Sequence, residues 1–359
     1  MARSEDLLAQ VAASETITET ETALYDRQIR LWGIEAQEKL RHSRVLIVGM
    51  KGLGAEIAKN LVLCGLKSMQ IIDNELTTEE DTESNFFLCQ EHVRKPRGEC
   101  SAPGVQALNP LTRLECSTED IDKVDLSSFS LVILADQPVA TVERINEKCR
   151  SLQIRFMAGS VFGWLGYAFT DFNAHNFLIK KKQEKFDLVA LEGAPGGAEA
   201  EKENAAAETT IEEDEYHTQS VEYPSFKAAF SADFSAKKLL RKIRLLIPSG
   251  YYAVKAFLEA DKAGSLTGDE EKDIAVLESL WTAQLAAHNN QKAEEQTIRP
   301  EKFDYLLGPQ LSATCGVVGG FVGQESIKAL TNGKSPYRNI FIYSALNTEG
   351  RVCDFPPQI

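Results

Sequence analysis

Gly49-Met50-Lys51-Gly52-Leu53-Gly54 follows the continuously apolar run Val45-Leu46-Ile47-Val48 and precedes a segment that places Ile57, Leu61 and Cys64 at helical spacing. A second apolar run, Met69-Gln70-Ile71-Ile72, ends on the acidic Asp73. A strand, a glycine turn, a helix and an acidic strand tip are what a nucleotide site requires. Glycines let backbone N–H groups approach phosphate at the helix N-terminus, and the carboxylate accepts ribose hydroxyls. Gly49, Gly52, Gly54 and Asp73 are therefore the candidate nucleotide contacts. Asp136, at the tip of Leu131-Val132-Ile133-Leu134, is a weak candidate for magnesium. The order is G-x-x-G-x-G where dinucleotide dehydrogenases use G-x-G-x-x-G, which makes a nicotinamide oxidoreductase the weaker alternative. Close packing at a strand-helix turn accounts for the same glycines without any ligand.

The elements around these residues alternate. Strand-like runs at 45–48, 69–72, 131–134 and 154–157, with a helical pattern from Val142 to Leu152, predict an α/β fold with a doubly wound, mostly parallel, Rossmann-like sheet. Residues 167–172 and 177–179 follow without a helix, so antiparallel extension of the sheet is expected. A helix over 314–330 and strands at 340–343 and 350–353 complete it. Arg94 to Val105, with Pro96, Gly98, Pro103 and Gly104, matches a helix poorly.

The domain plan is a flexible tail (1–24), the first part of the Rossmann domain (25–189), an acidic disordered linker (190–222), a small all-α insertion (223–299) and a C-terminal completion (300–359). Residues 190–215 alone carry nine acidic side chains against Lys202, with little apolar surface to offset ordering entropy.

The 359 residues, 43% apolar and 26% charged, are ordinary for a globular chain, and 39 basic against 53 acidic side chains give a net charge of −14. That balance argues against a nucleic-acid partner. The longest apolar run, Cys315 to Gly323, is far short of the ~20 residues of a membrane helix, so a soluble intracellular protein is expected. Seven cysteines show no C-x-x-C pair and read as reduced thiols. Cys64 and Cys149 fall on buried helix faces, and Cys315 lies in a closely packed helix. Lys180-Lys181-Lys182 is compatible with nuclear import or with a solvated strand end.

Tyr25-Asp26-Arg27-Gln28-Ile29-Arg30-Leu31-Trp32-Gly33, then Ala36-Gln37 and Leu40, then the strand and glycine turn, resemble the adenylation domain of ubiquitin-like-protein activating enzymes. Gly319-Gly320 through Gln324-Glu325-Ser326-Ile327-Lys328-Ala329-Leu330 is similar to that family's C-terminal core helix. The resemblance implies one half of a paired adenylation unit. It points to the degenerate half: Lys51 stands where competent halves have Gly, Ser84-Asn85-Phe86-Phe87 lacks their phosphate-binding Arg, and Asp136 is followed by Thr141 where they have Arg. Asp73 and a basic residue at Lys95 or Arg97 persist. No Cys stands in a Pro-x-Cys-Thr context. Length and the run from Gly52 to Leu61 are most similar to the members that serve SUMO.

The resemblance implies a heterodimer with a thiol-bearing subunit, SUMO as the acyl substrate, and ATP and magnesium held chiefly by the partner. It gives Arg27 a catalytic role in trans at the partner's ATP site, with Arg30 in support, and implies a nuclear location with a cytoplasmic pool left open. The alternatives are a regulatory subunit for another ubiquitin-like protein, the oxidoreductase above, or a scaffold that binds modifier without contributing to chemistry.

Overall fold

A computed structural model describes residues 16–180, 216–232, 247–287 and 297–356. Three helices lead in: α1 (Glu19–Leu24), α2 (Asp26–Trp32) and α3 (Ile34–His42). The sheet and its crossovers follow as β1 (Arg44–Val48), α4 (Gly52–Val62), β2 (Ser68–Ile72), α5 (Asp81–Ser84), α6 (Arg97–Leu108), β3 (Arg113–Ser117), β4 (Leu131–Ala135), α7 (Val139–Ser151), β5 (Arg155–Phe162) and β6 (Leu165–Asp171). Next come β7 (Ala174–Lys180), β8 (Tyr216–Glu222), α8 (Phe226–Phe230), α9 (Tyr251–Ala263), α10 (Glu270–Ala287), α11 (Asp304–Leu307), α12 (Ser312–Thr331), β9 (Ile340–Ser344) and β10 (Glu349–Cys353).

The eight-stranded sheet runs β10-β9-β6-β5-β4-β1-β2-β3. β3, β2, β1, β4 and β5 pair in parallel, and β5, β6, β9 and β10 pair antiparallel. The period of two sorts each strand's side chains onto opposite faces. Val45, Ile47, Ile71 and Ile133 pack beneath α4 and α12, while Leu46, Val48, Val132 and Phe156 pack beneath α7 and α9. Both faces are buried, which is why the parallel strands are continuously apolar.

Several expectations are corrected. The tail is not wholly flexible: residues 19–24 form α1, capped by Thr18 and Glu21, and Glu21 is tied to Arg41 at 2.7 Å. Residues 177–179 do not extend the main sheet, because β7 pairs only with β8 in a separate two-stranded ribbon. That pairing also takes residues 216–222 out of the expected linker. Residues 190–215 lie outside the described residues, as do Lys181 and Lys182. The described helices of 223–299, α8, α9 and α10, share one core with the sheet.

Residues 97–108 are helical despite Pro103, which sits on the exposed side of α6. The buried positions are Arg97, Gly98, Ser101 and Val105. Their spacing is helical but only Val105 is a sizeable apolar residue, so hydrophobic periodicity does not reveal the helix. β3 likewise carries no hydrophobic signal, since among its five residues none is fully buried.

Candidate nucleotide cleft and outward arginine helix

The glycine turn crosses from β1 to α4 at the point where the sheet order reverses between β1 and β4, the usual ligand crevice of such sheets. Gly49 adopts φ +93°, and its N–H donates to Ile72 O at 2.8 Å. A Cβ there would overlap Ala135 O, and one on Gly54 would overlap Gly49 O. At Gly52 it would lie 2.7 Å from Ser84 Cβ and 3.0 Å from Cys315 Sγ. All three glycines thus have packing reasons of their own.

Asp73 is buried, and its oxygens are engaged within the chain. Oδ2 accepts from Met50 N–H (2.7 Å) and Arg97 Nε (2.8 Å); Oδ1 accepts from Glu75 N–H (3.0 Å) and Arg97 Nη2 (3.2 Å). A carboxylate has about four acceptor sites. The ribose role expected of Asp73 is therefore already filled by Arg97 and backbone.

Asn85, where competent halves place part of their phosphate clamp, is fully buried. It donates to Met50 O at 2.8 Å and Ser101 Oγ at 3.2 Å, and accepts from Phe87 N–H at 2.9 Å. It staples the turn to α6 and is unavailable to phosphate. Lys51 takes the N-cap position of α4 with no side-chain cap and lines a cleft of about 450 Å³. Thr141 lines a smaller one of about 270 Å³. That smaller cleft is lined by Asp73, Glu75, Glu119, Asp120 and Asp122 against Arg97 and Arg144, and Arg144 is paired with Asp122. An acid-rich lining disfavours a triphosphate.

Asp136 sits at φ +54°, with Oδ1 accepting from Val161 N–H at 3.0 Å and Oδ2 buried without a hydrogen-bond partner. Burial holds this carboxyl above the ordinary carboxylate range, against the lowering influence of Gln310, the Val161 N–H and Lys51. That leaves one free oxygen, and a magnesium ion carried with nucleotide phosphates needs only one or two carboxylates. No group of three or more potential ligands occurs among the described residues, and Asp73 and Asp81 are committed to Arg97. The described residues thus form no all-protein metal cage, and Asp136 stands as a single carboxylate.

The arginine helix faces elsewhere. Tyr25 is buried at its start, Gln28 Nε2 donates to Leu63 O at 2.9 Å, and Trp32 Nε1 donates to Gln37 Oε1 at 3.1 Å. Between these anchors Arg27 is exposed, makes no ion pair among the described residues, and lines neither cleft. Arg30 is paired with Asp26 at 3.0 Å in an exposed contact one helical turn apart. Leu24 at the end of α1, Leu31 on α2 and Ile34 at the start of α3 are 58%, 72% and 51% exposed.

Burial pushes the Cys64 and Cys149 thiols up to about 12 and raises Cys315 further, so none is a nucleophile. Two Tyr-x-x-x-Lys spacings exist, Tyr223 with Lys227 and Tyr251 with Lys255. Both tyrosines are buried away from the clefts, which offers an oxidoreductase nothing. Sequence patterns missed the roles of Glu75 and Asp81. The signal was a cluster of acids preceding one buried arginine.

Residues 25–358 match the model of the ThiF family. The chain belongs to the ThiF family. It is 38% identical over 350 residues to SUMO-activating enzyme subunit aos-1 of Caenorhabditis elegans, covering 95% of this chain and 99% of that one. It is 33% identical over 342 residues to human SUMO-activating enzyme subunit 1, covering 94% and 95%. Among solved structures, E. coli MccB with succinimide aligns with a TM-score of 0.52 over 92% of this chain and 71% of that one, at 9% identity, a likeness of fold. This ThiF-family chain is thus a subunit of a ubiquitin-like-protein activating enzyme. No described helix is long and apolar enough to cross a membrane.

Proposed function

We propose that the chain is the non-thiol subunit of a heterodimeric SUMO-activating enzyme, and that Arg27 acts in trans at the partner's ATP site. The observation that carries this is Arg27 itself: an exposed guanidinium with no ion pair among the described residues, on an anchored helix that also exposes Leu31, and outside both clefts described above. Such an arrangement suits a surface that another subunit covers.

In the reaction, SUMO's C-terminal glycine carboxylate attacks the α-phosphorus of ATP, giving an acyl-adenylate and pyrophosphate. The partner's cysteine thiolate then displaces AMP to form the thioester. Planar guanidinium donors held in place before reaction stabilise the charge that builds on departing pyrophosphate. ATP and magnesium belong to the partner, in keeping with an acid-lined cleft here whose ribose carboxylate is already engaged. A nuclear location is part of the same proposal, tested by imaging a fluorescent fusion.

Pyrophosphate exchange measures the first step directly. The chain alone with SUMO and ATP is expected to be silent, and adding the thiol-bearing subunit to establish exchange. Turnover by the isolated chain would refute the assignment.

A further inference from the structure

We infer that Arg97 is the residue that closes this chain's own nucleotide groove, dividing it in two and so confining ATP to the partner's half. Three observations converge on it. The side chain is 3% exposed, and its guanidinium reaches three carboxylates: Nε and Nη2 to Asp73, Nη2 to Glu75 Oε2 at 2.8 Å, and Nη1 to Asp81 Oδ2 at 3.0 Å. The bonds to Asp73 occupy the acceptor sites that a ribose diol would need at this strand tip. Arg97, Glu75, Gln137 and Pro138 also line both clefts.

They therefore form the wall between the larger cleft, beside Lys51 and Asp136, and the smaller one at Asp73. Gly49 lines the smaller cleft with Asp73 and Lys51 lines the larger one, so a nucleotide whose ribose sits at Asp73 would have to cross that wall for its phosphates to reach Lys51. Displacing Arg97 would leave Asp73 and Asp81 as buried charges without their cation, a cost that a neutral ribose cannot offset. The groove is closed by an internal occupant, in addition to lacking phosphate contacts. Only a guanidinium does this well, since its fixed fork serves both oxygens of Asp73 and still reaches two further carboxylates.

The proposal rests on the reading above that this half leaves ATP to its partner, and its test reports on a different quantity. Pyrophosphate exchange by the heterodimer tests that reading; nucleoside binding by the full chain alone tests Arg97. Equilibrium dialysis with radiolabelled adenosine, which needs no phosphate contacts, gives the bound fraction at a fixed free concentration. The wild type is expected to bind little. Arg97→Lys keeps the charge but loses the fork, and is expected to raise bound adenosine about tenfold.

Glu75→Gln alters a side chain that is 63% exposed, so it is expected to fold as wild type, checked by its urea midpoint. It removes one arm of the clamp and is expected to give a smaller rise, about threefold. Adding Asp73→Asn to either variant should abolish the gain, which simple loosening of the fold would not do. If no folded variant binds more adenosine than wild type, or if the gain survives Asp73→Asn, the proposal is overturned.

Discussion

Asn109 donates its side-chain amide to the hydroxyl of Tyr25 at 2.9 Å, and both side chains are buried. The same amide donates to Val62 O at 2.8 Å, so one asparagine ties the start of α2 to the end of α4. The bond matters because Arg27 lies two residues beyond Tyr25. A trans-acting cation needs a fixed root, and this contact supplies it together with Gly65, whose missing Cβ leaves room for the tyrosine ring.

Tyr25→Phe should therefore destabilise the chain by about 1 kcal/mol, the net value of one hydrogen bond whose donor keeps another acceptor. Tyr25→Ala should cost about 3–5 kcal/mol by leaving a cavity. Urea midpoints with unchanged slope would check both. An unchanged midpoint in Tyr25→Phe would mean that the hydroxyl contributes nothing.

Arg27→Ala should lower pyrophosphate exchange by the heterodimer ~10²–10³-fold, the usual effect of losing one preorganised donor. Arg27→Lys should recover only part, because an ammonium supplies charge without the planar fork. Size exclusion should show the pair still assembled. Full exchange by Arg27→Ala at saturating ATP would refute the trans role.

Gly54→Ala places a methyl group against Gly49 O, backbone that cannot swing away. The expected loss is about 2–3 kcal/mol, in the range of an overpacked core position. Thermal unfolding of the full chain would report it as a lower midpoint. Tolerance of alanine there would show that the turn has slack the packing does not reveal.

His175 on β7 is buried beside Phe172 and Phe177, and burial, with a smaller contribution from Arg155, brings its imidazole down to about 4 from the ordinary 6.5. Between those values the unfolded chain binds a proton that the folded chain refuses. Stability from this site is thus complete above about pH 6.5 and is lost as pH falls towards about 4. The loss should be at most about 3 kcal/mol, the linkage value of such a shift. Carboxylates titrate in the same range, so the measurement is the difference between wild type and His175→Phe in urea midpoint against pH. Parallel curves would refute it.

The parallel half of the sheet was legible in the sequence because strands buried on both faces must be continuously apolar: Val45–Val48 and Leu131–Leu134 announce themselves without reference to anything distant. The arginine helix and the glycine turn were legible too, as local patterns of residue type and spacing. What the glycines and Asp73 do was not legible. That depended on Arg97, 24 residues further on in a helix whose buried face is mostly small or charged, and on Ala135, Ser84 and Cys315, which arrive from separate elements. A carboxylate's role is set by which donors reach its oxygens, and a glycine's by what stands where its Cβ would be. Both are distances between residues remote in sequence, so only the tertiary structure decided that this crevice is filled from within while Arg27 faces outward.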